Sequence, residues 1–213
     1  MNIFYRALWI SIIFILVGLV ISLCCHLANG ITFRIIQIIA GANTASLILN
    51  YLTYPGVVHH ELSHALLAFL TGAKVKRIVL HRQGNSLGHV EYCTTGLAIR
   101  SNFQKTMTSL APVYVGVITL SILNHFRSQS IMWAGVVIIY LMICIFYHMS
   151  LSRVDLRTAA KGIPAGFVAI YVIVLLVLGV CHIYAEATGT DITASVMATI
   201  RNTFNSVGEI PHL

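Results

Sequence analysis

The chain has 213 residues, of which 58% are hydrophobic and 9% charged, with a mean hydropathy of +0.87. That balance excludes an ordinary soluble domain, in which roughly one residue in four is charged, and the sequence reads as an all-α polytopic membrane protein. The net charge of +7 follows from where Lys and Arg fall around the spans and from attraction to anionic lipid head groups. It gives no support to nucleic-acid binding.

A helix needs about 20 apolar residues to cross a bilayer, and about five stretches qualify. The first, Ala7 to Cys25, follows Arg6 and is longer than the apolar core of a typical cleaved leader, so a retained helix is expected. Ile31 to Ala40, carrying Arg34, is open to two readings, an interfacial segment or part of a separate span over residues 31–54. The second span, about Ala45 to Leu70, is expected to kink at Pro55-Gly56, because proline lacks a backbone donor and clashes with the preceding turn.

The next segment differs in kind. Lys74 to His81 alternates apolar with polar, Gly84 to Gly88 supplies turn residues, and His89 to Thr94 resumes with Val90, Tyr92 and Thr94 on one side. This is a β-hairpin over about residues 74–94. Its exposed edge is suited to holding an extended peptide by strand addition, which makes Val79, His89 and Val90 candidate substrate contacts. Pro112, in a later run of small residues, is a fourth.

Met107 to Asn124, Ile131 to Tyr147 and Pro164 to Tyr184 complete the five spans, and residues 1–185 read as one membrane-embedded domain. In the tail, 186–213, Ile192, Val196, Met197, Ile200 and Phe204 recur at helical spacing, as in an amphipathic helix lying on a membrane surface. Basic residues are retained on the cytoplasmic side. Arg6, the group from Lys74 to Lys105, and Arg153, Arg157 and Lys161 share one face, so a multi-pass plasma-membrane protein with a cytoplasmic N-terminus is expected. The five cysteines form neither a paired framework nor a CxxC metal motif, and read as small apolar packing residues.

Within the second span stands His60-Glu61-Leu62-Ser63-His64. Only six carboxylates occur in the chain, and Glu61 is one of three before residue 186. An acid deep in a bilayer costs at least about 2.5 to 3.5 kcal/mol on insertion scales, so a glutamate here without a purpose is disfavoured. Residues four apart share one helix face about 6 Å apart along the axis, so His60 and His64 can converge on one ion. Glu61 is turned by about 100° from His60 and stands beside that ion, placed to take a proton from a water and return it to a leaving group.

Two histidines suit zinc, which needs at least one further protein ligand while keeping a position open. Asp155 is the first candidate and Glu91, in the hairpin, the second. His59 points about 100° away from His60 and cannot join the same ion. His89 and His148 are possible supporting or substrate-facing groups. The rival reading is a non-hydrolytic metal-binding transporter or scaffold, since histidines also line transport paths.

Pro55, the run HHELSHALLAFLTGAKV, the hairpin, the segment Ser109-Leu110-Ala111-Pro112-Val113-Tyr114-Val115-Gly116 and the late Asp155 together resemble the site-2 protease family of intramembrane zinc metalloproteases. The likeness runs from about Pro55 to Gly162, and is to a compact member without a PDZ domain. It implies one Zn2+ per chain held by His60, His64 and Asp155, with Glu61 as the general base. The implied partners are membrane lipid and a transmembrane or membrane-proximal substrate cut within the bilayer. Many members follow the aspartate with glycine, where this chain has Leu156. Nothing in the sequence speaks to oligomeric state.

Overall fold

The computed structural model describes residues 2–80 and 88–188. Helix α1 runs without interruption over Ile3–Ala40, so Ile31 to Ala40 continues the first helix. Ile31, Ile35, Ile36, Ile38 and Ile39 carry the apolar character onward, and the helix ends only at Gly41, whose φ of 86° favours glycine. A short α2, Ala42–Leu47, leads into a π-helical turn, Ile48–Leu52, and α3 follows over Tyr54–Leu70.

The break in this second stretch falls at Thr53, where φ and ψ leave the helical region. Pro55 sits in the first turn of α3, where its missing N–H would have had no partner in any case. The backbone groups loosened by the break are taken up locally. Tyr140 O–H donates to the Leu52 carbonyl at 2.6 Å, and the Thr53 hydroxyl to the Leu49 carbonyl at 2.7 Å.

Two strands follow, β1 over Lys74–Val79 and β2 over His89–Cys93, paired antiparallel from Lys74 opposite Cys93 to Val79 opposite His89. The hairpin expected from the alternation is present, with an irregularity between Val75 and Arg77. Most of its expected turn, and the expected tail helix beyond residue 188, lie outside the described residues. The remaining helices are α4, Ala98–Ser128, α5, Met132–His148, and α6, Arg153–Thr188.

By length and composition α1, α4 and α6 can each cross a membrane, and α5, at 17 residues, is a shorter apolar helix. Together with the many large apolar side chains left exposed along them, they mark an integral membrane protein. Among the described residues, those within 12–169 form one compact unit and those of 2–11 and 170–188 another. The HELSH motif and the hairpin lie in the first.

Gln104 of α4 fixes the base of the hairpin. It is fully buried; its amide nitrogen donates to the Thr71 carbonyl at 2.9 Å, and its amide oxygen accepts from the Thr95 N–H at 2.8 Å. Thr71 closes α3 in a Schellman arrangement, in which Gly72 N–H donates to Phe69 O and Ala73 N–H to Ala68 O. One amide side chain thus ties the end of α3 to the strand leaving the hairpin.

Glycines let the helices of this unit approach closely. A methyl group at Gly56 of α3 would overlap the Cys144 carbonyl of α5 and sit 2.6 Å from His148 Nδ1. Gly162 and Gly166 of α6, four residues apart, both face Thr106 of α4, in the small-xxx-small pattern by which membrane helices pack backbone to backbone. Gly56→Ala should therefore force α3 from α5 and lower stability by about 1 to 3 kcal/mol, the usual range for overpacking. Thermal unfolding of purified protein in detergent measures it, and an unchanged midpoint would count against the close contact.

Candidate metal centre

Among the described residues one group of side chains is arranged to hold a metal ion, namely His60, His64 and Asp155, whose ligand atoms all lie within 4.8 Å of one another. The first two come from one face of α3, as their spacing requires. His60 Nε2 and His64 Nε2 are 3.1 Å apart, and His64 Nε2 is 3.6 Å from Asp155 Oδ1. Bonds of 2.0 to 2.1 Å at tetrahedral angles would separate donor atoms by about 3.3 Å, so the spacing fits an ion of that size.

The protonation of the rings makes the same point. His60 Nδ1 lies 2.6 Å from the His148 carbonyl and His64 Nδ1 lies 2.7 Å from the Thr108 carbonyl. A carbonyl only accepts, so each Nδ1 carries the hydrogen and, in the neutral ring, each Nε2 carries a lone pair. Two lone pairs facing each other at 3.1 Å cannot hydrogen-bond. They repel unless a cation stands between them, and a backbone carbonyl on the far ring nitrogen is the usual support of a metal-bound histidine.

Asp155 reaches this group because of how α6 begins. Ser152 N–H and Oγ both contact Asp155 Oδ2, at 3.1 and 2.5 Å, and the Asp155 N–H returns a bond to Ser152 Oγ at 3.1 Å. This is a capping box with aspartate in the usual glutamate position. It leaves Oδ1 free to face His64. The Gly162 and Gly166 contacts against α4 hold the same end of α6 close to the bundle. The tight junction answers how an acid at a helix start comes level with His64.

Glu91 is placed elsewhere. It lies opposite Arg77 in the hairpin, is exposed, and has His89 Nε2 at 3.4 Å from Oε1. His59, as its position on the helix implies, turns away and meets Thr119 Oγ1 at 3.0 Å.

Glu61 is only 7% exposed and lines a cavity of about 1170 Å³ together with His60, His64 and Asp155. The Gly88 backbone at the start of β2 presses on it. A methyl at Gly88 would come within 2.9 Å of Glu61 Cγ. His89, Val90 and Tyr92 continue the same wall, whereas Val79 and Pro112 are buried in packing away from it. Drug-sized ligands occupy about 300 to 1,000 Å³, and this space is larger.

Several contributors were not among the residues singled out from sequence. Tyr92 is one, although its alternation with Val90 was a visible sign; burial first, and the Asp155 charge second, hold its phenol above the ordinary pKa, so it stays protonated. The carbonyls of Thr108 and His148 are others, and no side-chain pattern announces a carbonyl. From α1, His26, Asn29, Arg34 and Gln37 face the cavity at helical spacing, a polar stripe on an apolar helix.

A family model described as Peptidase M50B-like matches residues 33–210. No curated protein and no solved structure matches the chain. If His60, His64 and Asp155 hold the ion, purified wild type should carry about one equivalent of divalent metal. His64→Ala and Asp155→Ala should lose it and Glu91→Ala retain it, as elemental analysis of the four proteins will show. Metal lost from Glu91→Ala alone would reverse the assignment.

Proposed function

The chain belongs to the Peptidase M50B-like family, the site-2 protease family, a family of membrane metallopeptidases, and from that premise we propose that it is a zinc-dependent endopeptidase cutting transmembrane or membrane-proximal segments of other proteins. The observation that carries this reading is the pair of bare Nε2 atoms 3.1 Å apart with the buried Glu61 carboxylate on the same cavity wall. Bound zinc would supply Lewis acidity, polarising the scissile carbonyl and making an attacking water acidic enough to lose a proton near neutral pH.

The roles of the protein's own groups follow from their positions. His60 and His64, each fixed by a carbonyl on its other nitrogen, and Asp155 Oδ1 form one ligand set for the ion, leaving a position open to solvent or substrate. Glu61 is the proton carrier. It takes the proton of the attacking water and delivers it to the amine nitrogen as the peptide C–N bond breaks.

A peptide bond inside a helix is shielded by its own hydrogen bonds, so the substrate must be extended locally. The β2 strand from His89 to Tyr92 lines the cavity that Glu61 lines and offers the substrate a backbone edge, and the size of the cavity supports a polypeptide over a small molecule. The positive-inside distribution supports a cytoplasmic N-terminus and a hairpin on the same side. Release of membrane-held proteins by such cleavage would make the enzyme part of regulated intramembrane proteolysis.

Glu61→Gln keeps the size and polarity of the side chain but cannot accept the proton. Cleavage of a reporter helix by purified protein in detergent should fall by about 10² to 10⁴, the usual contribution of a general base, while bound zinc stays at the wild-type amount. Undiminished cleavage would remove Glu61 from the chemistry.

A further inference from the structure

Pro112 lies inside α4, where proline is unfavourable because it has no N–H to donate and its ring crowds the carbonyl four residues earlier. That carbonyl belongs to Thr108. It is the same oxygen that accepts the His64 Nδ1–H at 2.7 Å. In an uninterrupted helix the N–H of residue 112 would occupy it. Here that donor is missing by covalent structure.

We propose that Pro112 is a positioning residue for the metal centre, leaving the Thr108 carbonyl open to hold His64 with its hydrogen on Nδ1 and its Nε2 toward the ion. The inference rests on the reading of His64 as a metal ligand. Pro112 itself is fully buried and does not line the cavity, so it acts through Thr108 and His64 and not by touching substrate. The His148 carbonyl, which supports His60, is available for a different reason: it is the last residue of α5, and the final carbonyls of any helix lack intrahelical donors. The two ligands are thus supported by two kinds of free carbonyl, one at a helix end and one made by a proline. Mid-helix, only the second kind is available to His64.

The test separates the missing N–H from the proline ring. In the full-length protein in detergent, Pro112→Ala restores an N–H. Replacing Pro112 by lactic acid, introduced as an α-hydroxy acid, removes the ring without restoring a donor. Zinc affinity is read by competition with a chromophoric chelator, and apo-protein stability by thermal unfolding. Pro112→Ala should bind zinc at least tenfold more weakly, within the 10- to 100-fold range for loss of a ligand's supporting bond, with an apo melting temperature equal to or above wild type. The lactate protein should bind within about threefold of wild type, well short of the 10- to 100-fold loss that removal of a supporting bond brings.

Equal zinc affinity in Pro112→Ala would overturn the proposal, as would equal weakening in both variants, since ring packing would then be the cause. If the alanine protein does not fold, ¹⁵N resonances of His64 in wild-type apo protein still decide. Hydrogen on Nδ1 supports the proposal and hydrogen on Nε2 overturns it. A wild type that binds no zinc would instead defeat the metal reading itself, an outcome distinct from any of these.

Discussion

Two hydrogen bonds from imidazole to backbone govern this structure. By donating Nδ1–H to the His148 and Thr108 carbonyls, His60 and His64 present their other nitrogens to a common point, and every further part of the site is arranged around that point. The bonds also set demands on the fold. α5 must end beside His60 and α4 must bring a free carbonyl beside His64, so α3 has to be gripped between them. Gly56 allows the first approach. The second is held by the Gln104 ties at the foot of α3.

The same constraint explains why polar groups are tolerated in so apolar a chain. An unpaired donor or acceptor in a membrane protein costs several kcal/mol, yet α3 carries a glutamate and three histidines, and α4 a buried glutamine. Each histidine of α3 has a carbonyl or hydroxyl partner, and Gln104 has both ends of its amide engaged. The irregular stretch ahead of α3 is treated the same way, with Tyr140 closing the Leu52 carbonyl. Irregular backbone and buried charge are concentrated where a cavity gives them use.

Asp155 shows how a local rule serves a distant one. As the last residue of a capping box it stabilises the start of α6 through Oδ2, and this fixes the direction in which Oδ1 points. Helix start and candidate metal ligand are one side chain. Leu156, next along the chain, continues α6, and its N–H bonds the Ser152 carbonyl at 2.9 Å.

The sequence by itself determined whatever depends on neighbours a few residues away: apolar runs of spanning length, the alternation that makes the hairpin, and the four-residue spacing that puts His60 and His64 on one face with Glu61 beside them. It ranked Asp155 ahead of Glu91 as the candidate third ligand but could not place either, because both are far from the motif along the chain. Only tertiary structure decided that Asp155 stands at His64 while Glu91 faces Arg77 in the hairpin, that α1 continues to Ala40, and that Val90 and Tyr92 face the cavity while Val79 and Pro112 do not. The reason is physical. Side-chain periodicity is encoded locally, whereas the approach of α6 to α4 through Gly162 and Gly166, and the identity of the carbonyls left free to receive a histidine, arise only when separate helices pack.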